Sequence, residues 1–107
     1  MPLFIAVHKW TPEVQITTLK EMIVGFTHLL EGTAPEGIEL CFTWQRADYG
    51  AFCLWNVPSK EALENFFKKF GPTMLKYTEF VQVSQVYPPS MEYVLGLFQN
   101  IVDMASQ

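Results

Sequence analysis

Basic residues, paired metal-ligand spacings and long apolar runs are all scarce in this chain of 107 residues. Seven Lys and Arg stand against eleven Asp and Glu, giving a net charge of −4, and Arg46 is the single arginine. So acidic a chain is a poor match for a phosphate backbone, and nucleic acid is not an expected partner. It also lacks the basic surface that holds proteins to anionic lipid. No apolar run approaches the roughly 20 residues that span a bilayer, so no membrane partner is expected. The N-terminus has no basic start before its apolar run, so no export signal is expected and the cytoplasm is the expected location. There are two cysteines. Cys41 and Cys53 sit in successive apolar runs, and a hairpin turning near Asp48-Tyr49 puts Cys53 opposite about Trp44. Free, buried thiols are therefore expected. His8, His28, Cys41 and Cys53 show no C-x₂-C or H-x₃-H spacing, so neither metal nor cofactor is expected. Gly-rich phosphate loops are absent. Ser59 and Ser90 read as helix caps, with nothing nearby to make either a nucleophile.

Apolar character is abundant instead. Hydrophobic residues make up 50% of the chain and charged residues 17%. One domain over 1–107 is expected, with a core at 1–87 and a C-terminal helix at 90–105. So apolar a small domain implies an oligomer interface or an enclosed pocket. The runs Leu3-Phe4-Ile5-Ala6-Val7 and Ala51-Phe52-Cys53-Leu54-Trp55 have no polar face, so both their faces are expected to be covered. Ile38 to about Gln45 and residues 78–87 alternate like half-buried strands.

Helices separate these runs. Thr11 and Pro12 open the first, and Gly32 stops it. Ile16, Leu19, Met22, Ile23, Phe26, Leu29 and Leu30 recur at helical spacing and predict its buried face. Ser59 opens the second, whose apolar face is Ala62, Leu63, Phe66, Phe67 and Phe70, with Glu64 and Lys68 as an outer i,i+4 pair. Gly71-Pro72 ends it. In the terminal helix, Met91, Val94, Leu95, Phe98, Ile101, Val102 and Ala105 form a continuous apolar stripe. Its polar side, Glu92, Gln99, Asn100 and Asp103, lacks the Lys and Arg of a membrane-surface helix. It is expected to pack on the protein or on a partner subunit.

The order is β-α-β-β-α-β plus a helix, the split βαβ pattern of an α+β ferredoxin-like fold. Right-handed crossovers place strands 1 and 3 at the centre, giving a four-stranded antiparallel sheet of order 4-1-3-2. The crossover helices cover one face. The terminal helix or a second subunit's sheet is expected to cover the other.

Several segments are similar to recurrent features of a family of small uncharacterised bacterial and archaeal proteins, a domain of unknown function. They are Pro35-Glu36-Gly37-Ile38, the strand ending at Trp44, the Asp48-Tyr49-Gly50 turn and the strand Tyr77-Thr78-Glu79-Phe80-Val81-Gln82-Val83. The resemblance covers roughly residues 1–87. It implies a ferredoxin-like fold of the dimeric α/β-barrel type and a homodimer through the open sheet face. It supplies no active-site residues. Related members of that superfamily include small-molecule oxygenases, haem-degrading enzymes and isomerases, an analogy of fold alone.

Five residues are candidates for a site. His8, at the end of a central strand, has the chemistry of a general base or haem ligand at a pocket rim; the plainer reading is a partly exposed strand-end histidine. His28 falls beside the apolar stripe of its helix and reads as surface. Trp44 and Arg46 alternate onto one face of the second strand, while Trp55 and Asn56 point to opposite faces of the third. Aromatic walls with a few placed polar groups suit a small apolar or aromatic ligand, and an arginine suits a carboxylate. Tryptophan and arginine are also enriched in subunit contacts. Three functions follow: a ligand-binding or interaction module, a small-molecule oxygenase or isomerase with a Trp-lined pocket, or a scaffold subunit using the sheet edges.

Overall fold

The structure is a computed structural model and describes residues 1–84 and 90–106. Alternating and apolar runs form β1 (Leu3–Lys9), β2 (Glu39–Gln45), β3 (Gly50–Asn56) and β4 (Thr78–Val83). Helices are α1 (Gln15–Glu31), α2 (Lys60–Phe70), the short α3 (Pro72–Leu75) and α4 (Met91–Ala105). The fold is α+β, with a four-stranded antiparallel open sheet of order β2-β3-β1-β4. Read from the opposite edge this is 4-1-3-2, and the two strands without a polar face are central. No helix among the described residues is long and apolar enough to cross a membrane.

The sheet and helices meet in one core. Phe4 and Ala6 from β1, and Ala51, Cys53 and Trp55 from β3, pack on Leu63, Phe66, Phe67 and Phe70 of α2 and Met74 of α3. Phe66 lies edge-on to Phe67 and tilted against Trp55 and Phe70, a favourable aromatic arrangement. Ser59 Oγ accepts from the Ala62 N–H, and Ser90 Oγ from the Tyr93 N–H, so both serines cap their helices. Gly32 closes α1 in the left-handed conformation at φ 74°.

Several expectations are corrected. On α1, Ile16, Ile23 and Leu30 are 63%, 65% and 89% exposed. The buried residues of α1 are Thr18 and Gly25. A Cβ on Gly25 would sit 3.5 Å from Phe66 Cζ and 3.6 Å from Phe70 Cβ, so the helices meet at the glycine and the seven-residue Ile16-Ile23-Leu30 line turns outward. Thr11 makes no side-chain cap, because the chain enters through a 3₁₀ turn at Pro12–Val14 and α1 begins only at Gln15. Glu64 has a lysine one turn away on either side and pairs with Lys60, at 3.8 Å, instead of Lys68. The hairpin centres on Asp48, so Cys53 faces Thr43 and Trp44 faces Phe52. Both cysteines are free. The fourth strand ends at Val83, and the expected residues 85–87 lie outside the described residues.

The second face of the sheet carries no helix from α1–α3. Alternation puts Leu3, Ile5 and Val7 of β1, Phe52 and Leu54 of β3, Phe42 and Trp44 of β2, and Val81 and Val83 of β4 on it. Phe42, Trp44 and Val81 are exposed, and Leu54 is buried. α4 does not lie over this face as a packed layer: none of its residues is buried.

Candidate functional site

The five candidate residues separate onto three locations. His8 and Trp55 face the helices. Trp44 faces the open side, beside Phe42 with ring centroids 5.7 Å apart. Asn56 follows Trp55 and so points to the open side; its buried Oδ1 has no hydrogen-bond partner among the described residues. Arg46 lies at the hairpin and is already engaged. Its Nε donates to Asp48 Oδ1 at 2.7 Å, its Nη2 to Asp48 Oδ2 at 3.1 Å, and its guanidinium lies 4.9 Å from the centre of the Phe52 ring. Trp44 and Trp55 therefore share no pocket wall, and Arg46 does not wait for a carboxylate. The hairpin register, which pairs Trp44 with Phe52, sets the two tryptophans on opposite faces.

His8 is not a partly exposed strand-end residue. It is fully buried, tilted between Trp10 and Phe67. Pairing on both sides of β1 explains the burial: Ala51 of β3 and Thr78 of β4 are its register partners. Its Nδ1 lies 2.6 Å from Thr78 Oγ1, and that hydroxyl donates to the Met74 carbonyl at 2.6 Å. The threonine has one proton and spends it on Met74, so it accepts from His8 Nδ1–H. A neutral imidazole protonated at Nδ1 carries a lone pair at Nε2. Burial pushes the pKa of His8 down from 6.5 to about 4, so the ring is neutral at pH 7.

That Nε2 is buried without a hydrogen-bond partner among the described residues, and so is Trp55 Nε1. An unpaired buried polar atom is costly, and two beside one space need an explanation. His8 and Trp55 line the same cavity, together with Met22, Phe26 and Gly25 of α1, Cys53 of β3, and Phe66, Phe67 and Phe70 of α2. Its free space, counted for the centre of a water-sized sphere, is about 10 Å³, room for one water. Burial raises the Cys53 thiol to about 11, so it is an inert wall and not a nucleophile.

A larger cleft adjoins. It holds about 240 Å³ between α1 and the β2–β3 hairpin, lined by Trp10, Gln15, Leu19, Met22, Thr43, Gln45, Gly50 and Ala51. Met22 lines both the cavity and the cleft. Its side chain is an unbranched thioether with three rotatable bonds. Trp10 Nε1–H donates to Gln15 Oε1, which fixes the indole at the cleft. The sequence singled out His8 and Trp55, but Met22 and Trp10 read there as core. Nothing in linear spacing shows that one methionine bounds two spaces.

Among the described residues, no three His, Cys, Asp or Glu side chains come together to hold a metal ion. Comparison with protein-family models, with curated proteins and with solved structures finds no match to this chain.

Proposed function

We propose that this chain is a small-molecule binding module of ferredoxin-like build. Its ligand is small, mostly apolar, and carries one hydrogen-bond donor. The observation that carries this reading is His8 Nε2, a fixed acceptor lone pair inside an aromatic chamber with no donor among the described residues. Rotation of Met22 joins that chamber to the cleft beside Trp10, and the sum approaches the roughly 300 Å³ of the smallest ligand sites. A phenolic or azole group reaching in would donate to Nε2 while its ring replaces Met22 against Phe26 and Leu19.

Binding is favoured over catalysis by the same histidine. An oxygenase or isomerase would use Nε2 as its base. With a conjugate acid near pKa 4, His8 is a weak base for a hydroxyl or carbon acid at neutral pH. A buried acceptor that stays unprotonated orients a donor without removing its proton. We further read the protein as a cytoplasmic homodimer in which a second copy covers the open sheet face. The two free cysteines and the exposed Phe42, Trp44 and Val81 support this.

Titration calorimetry with 4-methylphenol and with toluene tests the ligand reading. The two rings match in shape and differ in the hydroxyl donor. The phenol is expected to bind at least about tenfold tighter, the worth of one buried hydrogen bond. His8→Phe is expected to erase that preference, and Arg46→Ala to leave it unchanged. Equal affinity for the two compounds, or a preference that survives His8→Phe, would overturn the reading.

A further inference from the structure

Two residues that line the cavity each hold one unpaired polar atom, and the two atoms are of opposite kind. His8 Nε2 is an acceptor and Trp55 Nε1–H is a donor; both are buried, and neither has a partner among the described residues. From the geometry we infer that the ligand is neutral and two-ended: a hydroxyl that donates to His8 Nε2 on one side of a ring, and a carbonyl oxygen that accepts from Trp55 Nε1–H on the other. This deepens the ligand reading above and rests on it, but not on the homodimer.

The sheet register sets the two residues at opposite ends of the space. On the helix-covered face β1 and β3 contribute three cross-strand pairs in a row: His8 with Ala51, Ala6 with Cys53, and Phe4 with Trp55. His8 and Trp55 therefore lie on a diagonal, offset along the strands by about 13 Å at their Cα atoms. The pair between them, Ala6 and Cys53, is small, and α1 borders the cavity with Gly25. Small residues in the middle leave room between two large rings. Both rings lean in on Phe67, whose centroid is 5.5 Å from that of His8 and 5.7 Å from that of Trp55. The rings are thus closer together than their Cα atoms. One six-membered ring with a polar group at each end, and a hydrogen bond of about 2.9 Å beyond each group, has the length to join them.

Chemistry narrows the class further. Nε2 of a ring protonated at Nδ1 cannot donate, and an indole N–H cannot accept. A ligand with a donor alone leaves the indole unpaired, and one with an acceptor alone leaves the imidazole unpaired. Charge is unwelcome. Glu21 already lines the cavity, no Lys or Arg does, and a carboxylate would enter without a cation to meet it. A hydroxyaryl ketone, aldehyde or amide satisfies both nitrogens and stays neutral.

Titration calorimetry at about pH 6, where His8 is neutral, tests this with 4-hydroxyacetophenone and 4-isopropylphenol. The two match in shape and differ in the carbonyl oxygen. The ketone is expected to bind about tenfold tighter, and Trp55→Phe to erase that gain. In the wild-type protein the indole N–H signal of Trp55 is expected to move downfield with the ketone and not with 4-isopropylphenol, a readout that needs no substitution in the core. Equal affinity for the two, while 4-methylphenol still binds more tightly than toluene, would overturn the two-ended ligand and leave the ligand reading standing. So would an indole signal that responds alike to both. A ketone gain that survives Trp55→Phe would come from its more acidic hydroxyl and would also overturn it. No preference for 4-methylphenol over toluene would overturn both.

Discussion

His8 Nδ1 and Thr78 Oγ1 stand 2.6 Å apart across the β1–β4 pair, and the threonine hydroxyl in turn donates a hydrogen bond to the Met74 carbonyl. This relay fixes which imidazole nitrogen is bare, and burial fixes its charge. The folded pKa of His8 is about 4 against 6.5 for an unperturbed ring. Between those values the unfolded chain binds a proton that the folded chain does not. The stability that His8 contributes through staying neutral is therefore complete above about pH 6.5 and is lost as pH falls toward 4. The full loss is about 3 kcal/mol, from about 1.4 kcal/mol per pKa unit. Urea unfolding across this range is expected to show that component in the wild type and not in His8→Leu. Parallel pH profiles for the two proteins would contradict the burial of a neutral ring.

Thr78→Val removes the acceptor for His8 Nδ1–H and keeps the branched shape of the side chain. Loss of one well-formed buried hydrogen bond, with its donor left unpaired, is expected to cost about 1–3 kcal/mol. The more specific outcome is the tautomer. In the wild type, imidazole nitrogen NMR is expected to show Nδ1 protonated and Nε2 bare. In Thr78→Val that fixed assignment is expected to give way to a mixture. An unchanged single tautomer would mean that something other than Thr78 holds the ring.

Two glycines respond in opposite directions to the same methyl group. A Cβ on Gly25 meets Phe66 and Phe70 at 3.5 and 3.6 Å, ordinary packing distances, and the residue is inside a helix. Gly25→Ala is expected to stabilise the protein by up to about 1 kcal/mol through helix propensity and reduced chain entropy. Gly50 has φ 146°, and a Cβ there would collide with the His8 carbonyl oxygen and lie 2.8 Å from Arg46 Cδ. Neither the backbone carbonyl nor the sheet register can yield. Gly50→Ala is expected to cost about 3 kcal/mol or more. Thermal denaturation of the two variants side by side checks the sign as well as the size.

Alternation and polarity carried the sheet. β1 and β3 read as two-faced apolar runs and are the central strands, while β2 and β4 read as half-polar and are the edges. The caps at Ser59 and Ser90 were legible because their chemistry is local. The orientation of α1 was not. Ile16, Ile23 and Leu30 fit an inward stripe by period as well as Leu19 and Phe26 do, and only the meeting at Gly25 decides between them. His8 and Trp55 were legible as candidates. Their separation from Trp44 depends on the hairpin register, which pairs Trp44 with Phe52 and not with Cys53, and strand period alone does not fix that register. Met22 and the Thr78 relay are three-dimensional facts: the first bounds two spaces, and the second joins residues separated by 70 positions.

Glu21 ties α1 to the α2–α3 junction. Its Oε1 accepts from the N–H groups of Thr73 and Met74, each at 3.0 Å, and Oε2 lies 3.2 Å from the Thr73 nitrogen. These are the free donors of the first turn of α3, which no side chain of its own segment caps. A carboxylate from another helix does the capping, and negative charge at that end is favourable. Glu21 also lines the His8 cavity, as Met74 does. Removing the cap therefore loosens the wall on which the Met74 carbonyl accepts the Thr78 hydrogen bond. Glu21→Ala is expected to cost about 1–2 kcal/mol, the usual loss for a capping side chain. Glu21→Gln keeps an acceptor oxygen without the charge and is expected to lose about half as much. Urea titration measures both, with the slope unchanged because the unfolded chain exposes the same surface. Hydrogen exchange adds a local readout. The amides of Thr73 and Met74 are expected to exchange faster in Glu21→Ala while those of β1 and β3 do not. Equal exchange at all four places would show that the contact between α1 and α3 is packing alone.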